Sequence, residues 1–98
     1  MKLIEKMIDH IQEELDGARE YAEKYIENKA KGNTMRAGAF KEMANDELRH
    51  AERIHEFASR DMDDIQKVYT VSNDDMEKWE HFHKHYAHCV AMVKHMIA

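Results

Sequence analysis

The sequence predicts an all-α protein, with a long antiparallel helical hairpin followed by a third helix. The 98 residues contain no proline and three glycines, so few residues interrupt a helix. Apolar residues recur at intervals of three and four along most of the chain, which is the spacing of one helix face. Charged residues make up 36% and hydrophobic residues 43% of the chain. That balance is typical of a small globular domain.

The first predicted helix spans about residues 2–30 and has one regular apolar stripe. The stripe consists of Ile4, Ile8, Ile11, Leu15, Ala18, Ala22 and Tyr25. Gly32 ends this helix, because glycine readily adopts the left-handed conformation found just after a helix C-terminus. Asn33 or Thr34 can cap the next helix. The connection is short, so the two helices are predicted to run antiparallel.

The second predicted helix spans about residues 34–59. Its stripe consists of Phe40, Met43, Ala44, Ala51, Ile54, Phe57 and Ala58. Residues 60–72 begin with a polar run and are interpreted as a connection with one helical turn at most. Ser72 and Asp75 resemble a capping box, which predicts a third helix over about residues 73–97. Its stripe consists of Trp79, Phe82, Tyr86, Cys89 or Val90, Val93, and Met96 or Ile97.

We expect one domain over residues 1–98, small enough to gain buried surface by forming oligomers. The formal net charge is −5 and there is no basic stripe, so nucleic acid is not an expected partner. A membrane is not expected either, because no apolar run approaches the roughly 20 residues of a membrane span. The N-terminal residues lack the apolar segment of a signal peptide. Cys89 is the only cysteine, which suits a reducing compartment, so we expect a cytoplasmic location.

Three polar residues occupy positions where the stripes predict buried side chains. Glu47 and His50 fall within the stripe of the second helix, and Glu14 lies at the edge of the stripe of the first. A buried, unpaired carboxylate costs several kcal/mol or changes its pKa. The hairpin is therefore predicted to bury Glu14, Glu47 and His50 together with a compensating partner.

These side chains predict that the compensating partner is a metal ion. The i, i+3 spacing of Glu47 and His50 points both side chains toward one spot. Carboxylate oxygens with an imidazole nitrogen suit iron, manganese or zinc. One hairpin supplies three ligands, whereas two hairpins related by a two-fold axis supply the ligand set of four-helix di-iron and di-manganese proteins. Two divalent cations would also balance the four carboxylates. The residues therefore predict a metal site shared by a homodimer.

Other histidines are predicted to lie on the surface. Two further Glu-x-x-His pairs are Glu52/His55 and Glu80/His83. Both pairs point away from the stripes, so we expect them on the solvated surface. The third helix also has a row of histidines beside its stripe: His81, His85, His88 and His95. A polar helix edge is the expected interpretation of this row, and metal binding or a pH-sensitive interface is the alternative.

The segments EELDGAREYAE (Glu13 to Glu23) and NDELRHAE (Asn45 to Glu52) carry a resemblance to a known family. Together they look like the first half of a rubrerythrin-type ferritin-like domain. They resemble even more closely the encapsulated-ferritin type, whose short chains each carry half a site and complete it as a dimer. The resemblance covers about residues 3–57. It implies a ferritin-like four-helix bundle completed by dimerisation, with a di-iron site at which O₂ or peroxide oxidises Fe(II).

The resemblance also implies roles for individual residues. Glu14 resembles the metal carboxylate of the first helix, and Glu47 and His50 resemble the Glu-x-x-His pair. Tyr21, one heptad after Glu14, resembles a tyrosine that accompanies the ligands. The chain departs from the family in two respects. No second buried Glu-x-x-His follows in a fourth helix, so we expect a second copy to complete the site. No tail that addresses such proteins to a shell follows the third helix, so a shell partner and a protein compartment stay open.

Two alternatives remain at this point. The three residues could form a hydrogen-bonded Glu–His group in a plain hairpin without a metal. The chain could also be a non-catalytic helical assembly or interaction protein, for instance one derived from a phage or mobile element, that retains a ferritin-like scaffold. A stable dimer that does not respond to metal would favour the second alternative.

Overall fold

A computed structural model describes residues 1–98 and contains three α-helices, which comprise 90% of the chain, and no strands. Helix α1 spans Lys2–Ala30, α2 spans Thr34–Val68 and α3 spans Asn73–Met96. The predicted all-α class is confirmed, and the helices pack as a bundle. None of the three contains an apolar stretch long enough to cross a membrane.

Helix α1 has the predicted bounds, and its predicted stripe faces the core. Every member of that stripe is buried except Ile8, which is half-buried. Gly32 follows α1 with a φ of 74°, the left-handed conformation that favours glycine at this position. The side chain of Asn33 then accepts a hydrogen bond from the backbone N–H of Arg36 and caps α2.

Helix α2 continues to Val68, whereas the sequence predicted its end near Ser59. The prediction was wrong because the polar run at residues 60–64 was interpreted as a connection, although it contains neither glycine nor proline. Met62 within that run is only 1% exposed, so the buried face of the helix continues beneath a solvated outer face. The connection to α3 consists of residues 69–72 alone.

Small side chains line the contact between the antiparallel helices α1 and α2. On α2 the buried alanines recur at heptad spacing: Ala37, Ala44, Ala51 and Ala58. Ala18 and Ala22 of α1 are fully buried as well. Because the distance between two helix axes depends on the side chains at their contact, alanines allow these helices to approach closely. The middle of α1 is thereby held close to the middle of α2.

Helix α3 packs along the hairpin, parallel to α1. The N-terminal amine of Met1 lies 2.7 Å from Asp75 Oδ1 at one end, and Gln12 Oε1 lies 3.0 Å from His85 Nε2 further along. Trp79 and Phe82 of α3 belong to a buried cluster shared with both hairpin helices. One side of the hairpin is therefore covered.

The opposite side of the hairpin is uncovered, and we call it the open face. It comprises Leu3, Glu14, Tyr21, Met43, Glu47, His50 and Phe57. Its apolar members Leu3, Met43 and Phe57 are 47%, 43% and 52% exposed. The expectation that Met43 and Phe57 are buried in the hairpin is therefore wrong for the single chain. Their helical angle places them beside the α1 contact, on the side that α3 does not reach.

Candidate metal centre

The structure brings Glu14, Glu47 and His50 together at the middle of the open face. One ligand atom from each of the three side chains lies within 4.8 Å of the others, and no other group of three acidic, histidine or cysteine side chains converges in this way. His50 Nδ1 is 3.6 Å from Glu14 Oε2 and 4.0 Å from Glu47 Oε1. The sequence predicted these three residues as one group, and their geometry supports it.

The local sequence explains why the three side chains meet. Glu47 and His50 lie one helical turn apart, so they point to the same side of α2. Buried alanines Ala44 and Ala51 flank this pair in the sequence. The close approach of α1 at these alanines brings Glu14 within reach of the pair.

The three groups differ in their exposure to solvent. The side chains of Glu14 and Glu47 are 23% and 27% exposed, whereas that of His50 is 60% exposed. The expectation that one hairpin buries all three is therefore wrong for His50. The helical spacing fixes the angle of His50 on α2, but α3 covers the other side of the hairpin and nothing in the single chain covers the imidazole.

The two carboxyl groups lie close enough for Glu14 to affect the ionisation of Glu47. A hydrogen bond with Glu14 raises the pKa of Glu47, partial burial raises it further, and His50 lowers it slightly. A second carboxyl group this close disfavours ionisation of Glu47. A cation bound between the two groups would relieve their repulsion.

The donor set fits a divalent transition metal. Two carboxylates and an imidazole suit iron, manganese and zinc. With metal–ligand bonds of about 2.0 to 2.2 Å, neighbouring ligand atoms lie about 3 to 3.6 Å apart. The His50–Glu14 separation of 3.6 Å already lies at the edge of that range. Small side-chain movements would bring all three atoms onto one ion.

Gly17 is a neighbour of this group that the sequence analysis missed. A Cβ atom at Gly17 would lie 2.9 Å from Glu47 Oε2. The available signal was a glycine in the middle of a helix, one turn after Glu14.

Tyr21 lies on the open face, two helical turns after Glu14. Its ring is half-buried and stacks on Phe40 with the ring centroids 6.2 Å apart. No hydrogen bond joins Tyr21 to Glu14, Glu47 or His50. The role that the resemblance implies for Tyr21 stays a prediction.

The structure corrects the expectation that His55 is solvated. His55 is half-buried, its ring stacks on Tyr86 with centroids 3.9 Å apart, and its Nε2 lies 2.9 Å from His83 Nδ1. Burial lowers the pKa of His55, and the neighbouring His83 lowers it further. This pair joins α2 to α3. The sequence did not predict the contact, because it depends on how α3 packs.

The row of histidines beside the core of α3 is exposed, as predicted. One of its members, His85, lies 3.4 Å from the sulfur of Cys89. Burial and the nearby Asp16 carboxylate raise the pKa of the Cys89 thiol. Cys89 is therefore a protonated, half-buried side chain and not an activated nucleophile.

The chain was compared with protein-family models, with curated protein sequences and with solved structures, and none of them matched. The function is therefore argued from the geometry and chemistry of this site.

Proposed function

We propose that two copies of the chain pair through their open faces and bind divalent iron at a site built from Glu14, Glu47 and His50 of each copy. The convergence of three ligand atoms within 4.8 Å on an uncovered helix face is the observation that carries this proposal. Bound as substrate, Fe(II) would supply electrons to O₂ or peroxide. Manganese and zinc fit the same donors.

A second copy is proposed because one chain carries half of a two-metal ligand set. One chain supplies two carboxylates and one imidazole, whereas two copies supply four carboxylates and two imidazoles, the set found in four-helix di-iron and di-manganese proteins. Glu47 would bridge the two ions and His50 would be a terminal ligand. Glu14 would be either a bridging or a terminal ligand. The exposed imidazole of His50 becomes buried only when another surface covers it.

The charges at the site favour metal-dependent pairing. Two open faces brought together without cations would place four carboxyl groups in one region, where like charges repel. Two divalent ions would balance the four negative charges and remove this repulsion. Metal and partner are therefore expected to bind together.

Apolar side chains around the site add to the pairing. Leu3, Met43 and Phe57 are each about half exposed in the single chain. Covering them removes apolar surface from water at about 25 cal/mol per Å². The same residues on two copies can meet across a two-fold axis, since such an interface uses one patch twice.

The first test is iron binding and oxidation by purified protein. We expect the wild-type protein to bind Fe(II) and to oxidise it in air, followed by absorbance, and we expect Glu47→Ala to lose both activities. Glu80→Ala is the matched control, because Glu80 also lies three residues before a histidine but away from the site. Equal, negligible iron binding by the wild type and Glu47→Ala would refute the proposal.

A second candidate function is a non-catalytic helical assembly protein. The exposed apolar residues Met43 and Phe57 favour it, because they could pair two copies without any metal. Light scattering with and without Fe(II) under argon separates the two functions. A monomer that becomes a dimer on adding iron supports the shared metal site, whereas a dimer of constant mass and no iron binding supports the assembly protein.

A further inference from the structure

We propose that Gly17 is a positioning residue for the metal site, because its missing side chain lets the carboxylate of Glu47 lie against α1 beside Glu14. This inference rests on the proposed function. It concerns a residue that contributes no ligand atom.

The contact involves the outer half of the Glu47 side chain. A Cβ atom at Gly17 would lie 2.9 Å from Oε2, 3.4 Å from Cδ and 3.6 Å from Cγ of Glu47. The shortest of these distances is below ordinary van der Waals contact, so any other residue at position 17 would displace the carboxylate. Gly17 follows Glu14 by one helical turn, so both lie on the same side of α1.

Backbone conformation gives no other reason for a glycine at this position. Gly17 lies in the middle of a 29-residue helix, and Gly32 is the only glycine with positive φ. Glycine inside a helix is less favourable than alanine because it loses more conformational freedom on folding. The close approach of Glu47 is the feature of the structure that a side chain at position 17 would disturb.

The packing of the hairpin leaves Glu47 one way to avoid an added side chain. Moving α2 away from α1 would open the contact of buried residues such as Ala44 and Ala51, which are 0% exposed. Rotation of the Glu47 side chain toward solvent costs less. Its carboxylate would then leave Glu14, and the three ligand atoms would no longer converge.

The test compares Gly17→Ala with Gly38→Ala. Gly38 is also a helical glycine, but a Cβ atom there would meet nothing within 4 Å. Without metal, we expect both variants to melt at or above the wild-type temperature, because alanine favours the helix. In titrations of Fe(II) under argon, we expect Gly17→Ala to weaken binding by about tenfold or more, the scale on which groups that orient ligands act. Gly38→Ala should bind as the wild type does.

A shorter carboxylate provides the rescue. In the Gly17→Ala background, Glu47→Asp draws the carboxyl group back from the added methyl group, so we expect the double variant to bind Fe(II) more tightly than Gly17→Ala alone. In the wild-type background the same substitution should weaken binding. Wild-type affinity in Gly17→Ala, or a loss of affinity that accompanies a lower melting temperature without metal, would overturn the positioning role.

A measurement without metal distinguishes failure of this inference from failure of the proposed function. In the metal-free protein, we expect nuclear Overhauser effects between the Gly17 α protons and the Glu47 γ protons. Their absence would overturn the Gly17 inference. Their presence in a wild-type protein that binds no Fe(II), Mn(II) or Zn(II) would overturn the metal site and leave only the contact.

Discussion

At the residue scale, the carboxyl group of Glu47 links the site to folding stability. Its hydrogen bond with Glu14 and its partial burial raise its pKa above the ordinary value. A carboxyl group with a raised pKa in the folded state favours folding most when it is protonated. Its contribution is present at low pH and is lost as the pH rises through the pKa of the folded state.

Replacing Glu47 by glutamine should therefore stabilise the metal-free protein at neutral pH. The amide keeps the shape and a hydrogen bond to Glu14 but cannot ionise, so the loss of stability with rising pH should become smaller. Thermal unfolding in a chelator at pH 4 and pH 7 measures the effect. A Glu47→Gln protein that is less stable than the wild type at pH 7 would contradict the pairing of the two carboxyl groups.

Helical periodicity was sufficient to predict Glu14, Glu47 and His50 as neighbours. It fixes the angle of each side chain on its own helix, and a short connection fixes the antiparallel pairing. It does not fix how closely two helices approach, so the contact of Gly17 with Glu47 was not predictable. It also does not say which side a third helix covers, so the exposure of His50 was missed.

At the element scale, the alanines of α2 set the separation of the hairpin helices. We expect Ala51→Leu to destabilise the protein by about 1 to 3 kcal/mol, because a larger side chain in a packed core forces shifts in the surrounding structure. The separation of Glu14 from His50 should increase, and metal binding should weaken. Urea denaturation measures the first effect and Fe(II) titration the second.

Ala39→Leu is the control for this substitution, because Ala39 is exposed on the same helix. We expect it to change stability by less than about 0.5 kcal/mol, as is usual for surface positions. Equal stability of the two leucine variants would mean that the heptad alanines do not limit the approach of α1 to α2.

The docking of α3 should depend on pH through His55 and His83. Burial and then His83 lower the pKa of His55, so the folded state disfavours its protonation. The unfolded chain binds more protons than the folded chain just below the ordinary histidine pKa of about 6.5. Stability should therefore be complete at higher pH and decline as the pH falls from that value toward the lower pKa of folded His55.

Trp79 is the only tryptophan, and its ring stacks on His55 with the centroids 5.7 Å apart. Its fluorescence should therefore report the protonation of His55. We expect the signal of wild-type protein to change between pH 7.5 and pH 5, and to change less in His83→Gln, which removes the neighbouring charge. His81→Gln alters an exposed histidine on another side of α3 and should follow the wild type. Identical profiles for all three proteins would rule out the pair as the cause.

At the scale of the whole molecule, the fold class followed from features spread over the chain. The absence of proline and the three- and four-residue spacing of apolar residues predicted three helices, and three are present. The extension of α2 to Val68 was missed because polar composition was given more weight than the absence of a helix breaker. Pairing of two copies stays a prediction, because the periodicity of one chain does not identify its partner.

The position of the ligands along the molecule has a geometric consequence for assembly. The protein is a rod 54 Å long and less than 20 Å wide, and Glu14 and His50 lie close to the midpoints of α1 and α2. A two-fold axis through that midpoint would place two rods side by side, in contact along their full length. The same ligands near one tip would hold two rods by their ends and leave the remaining apolar surface in water.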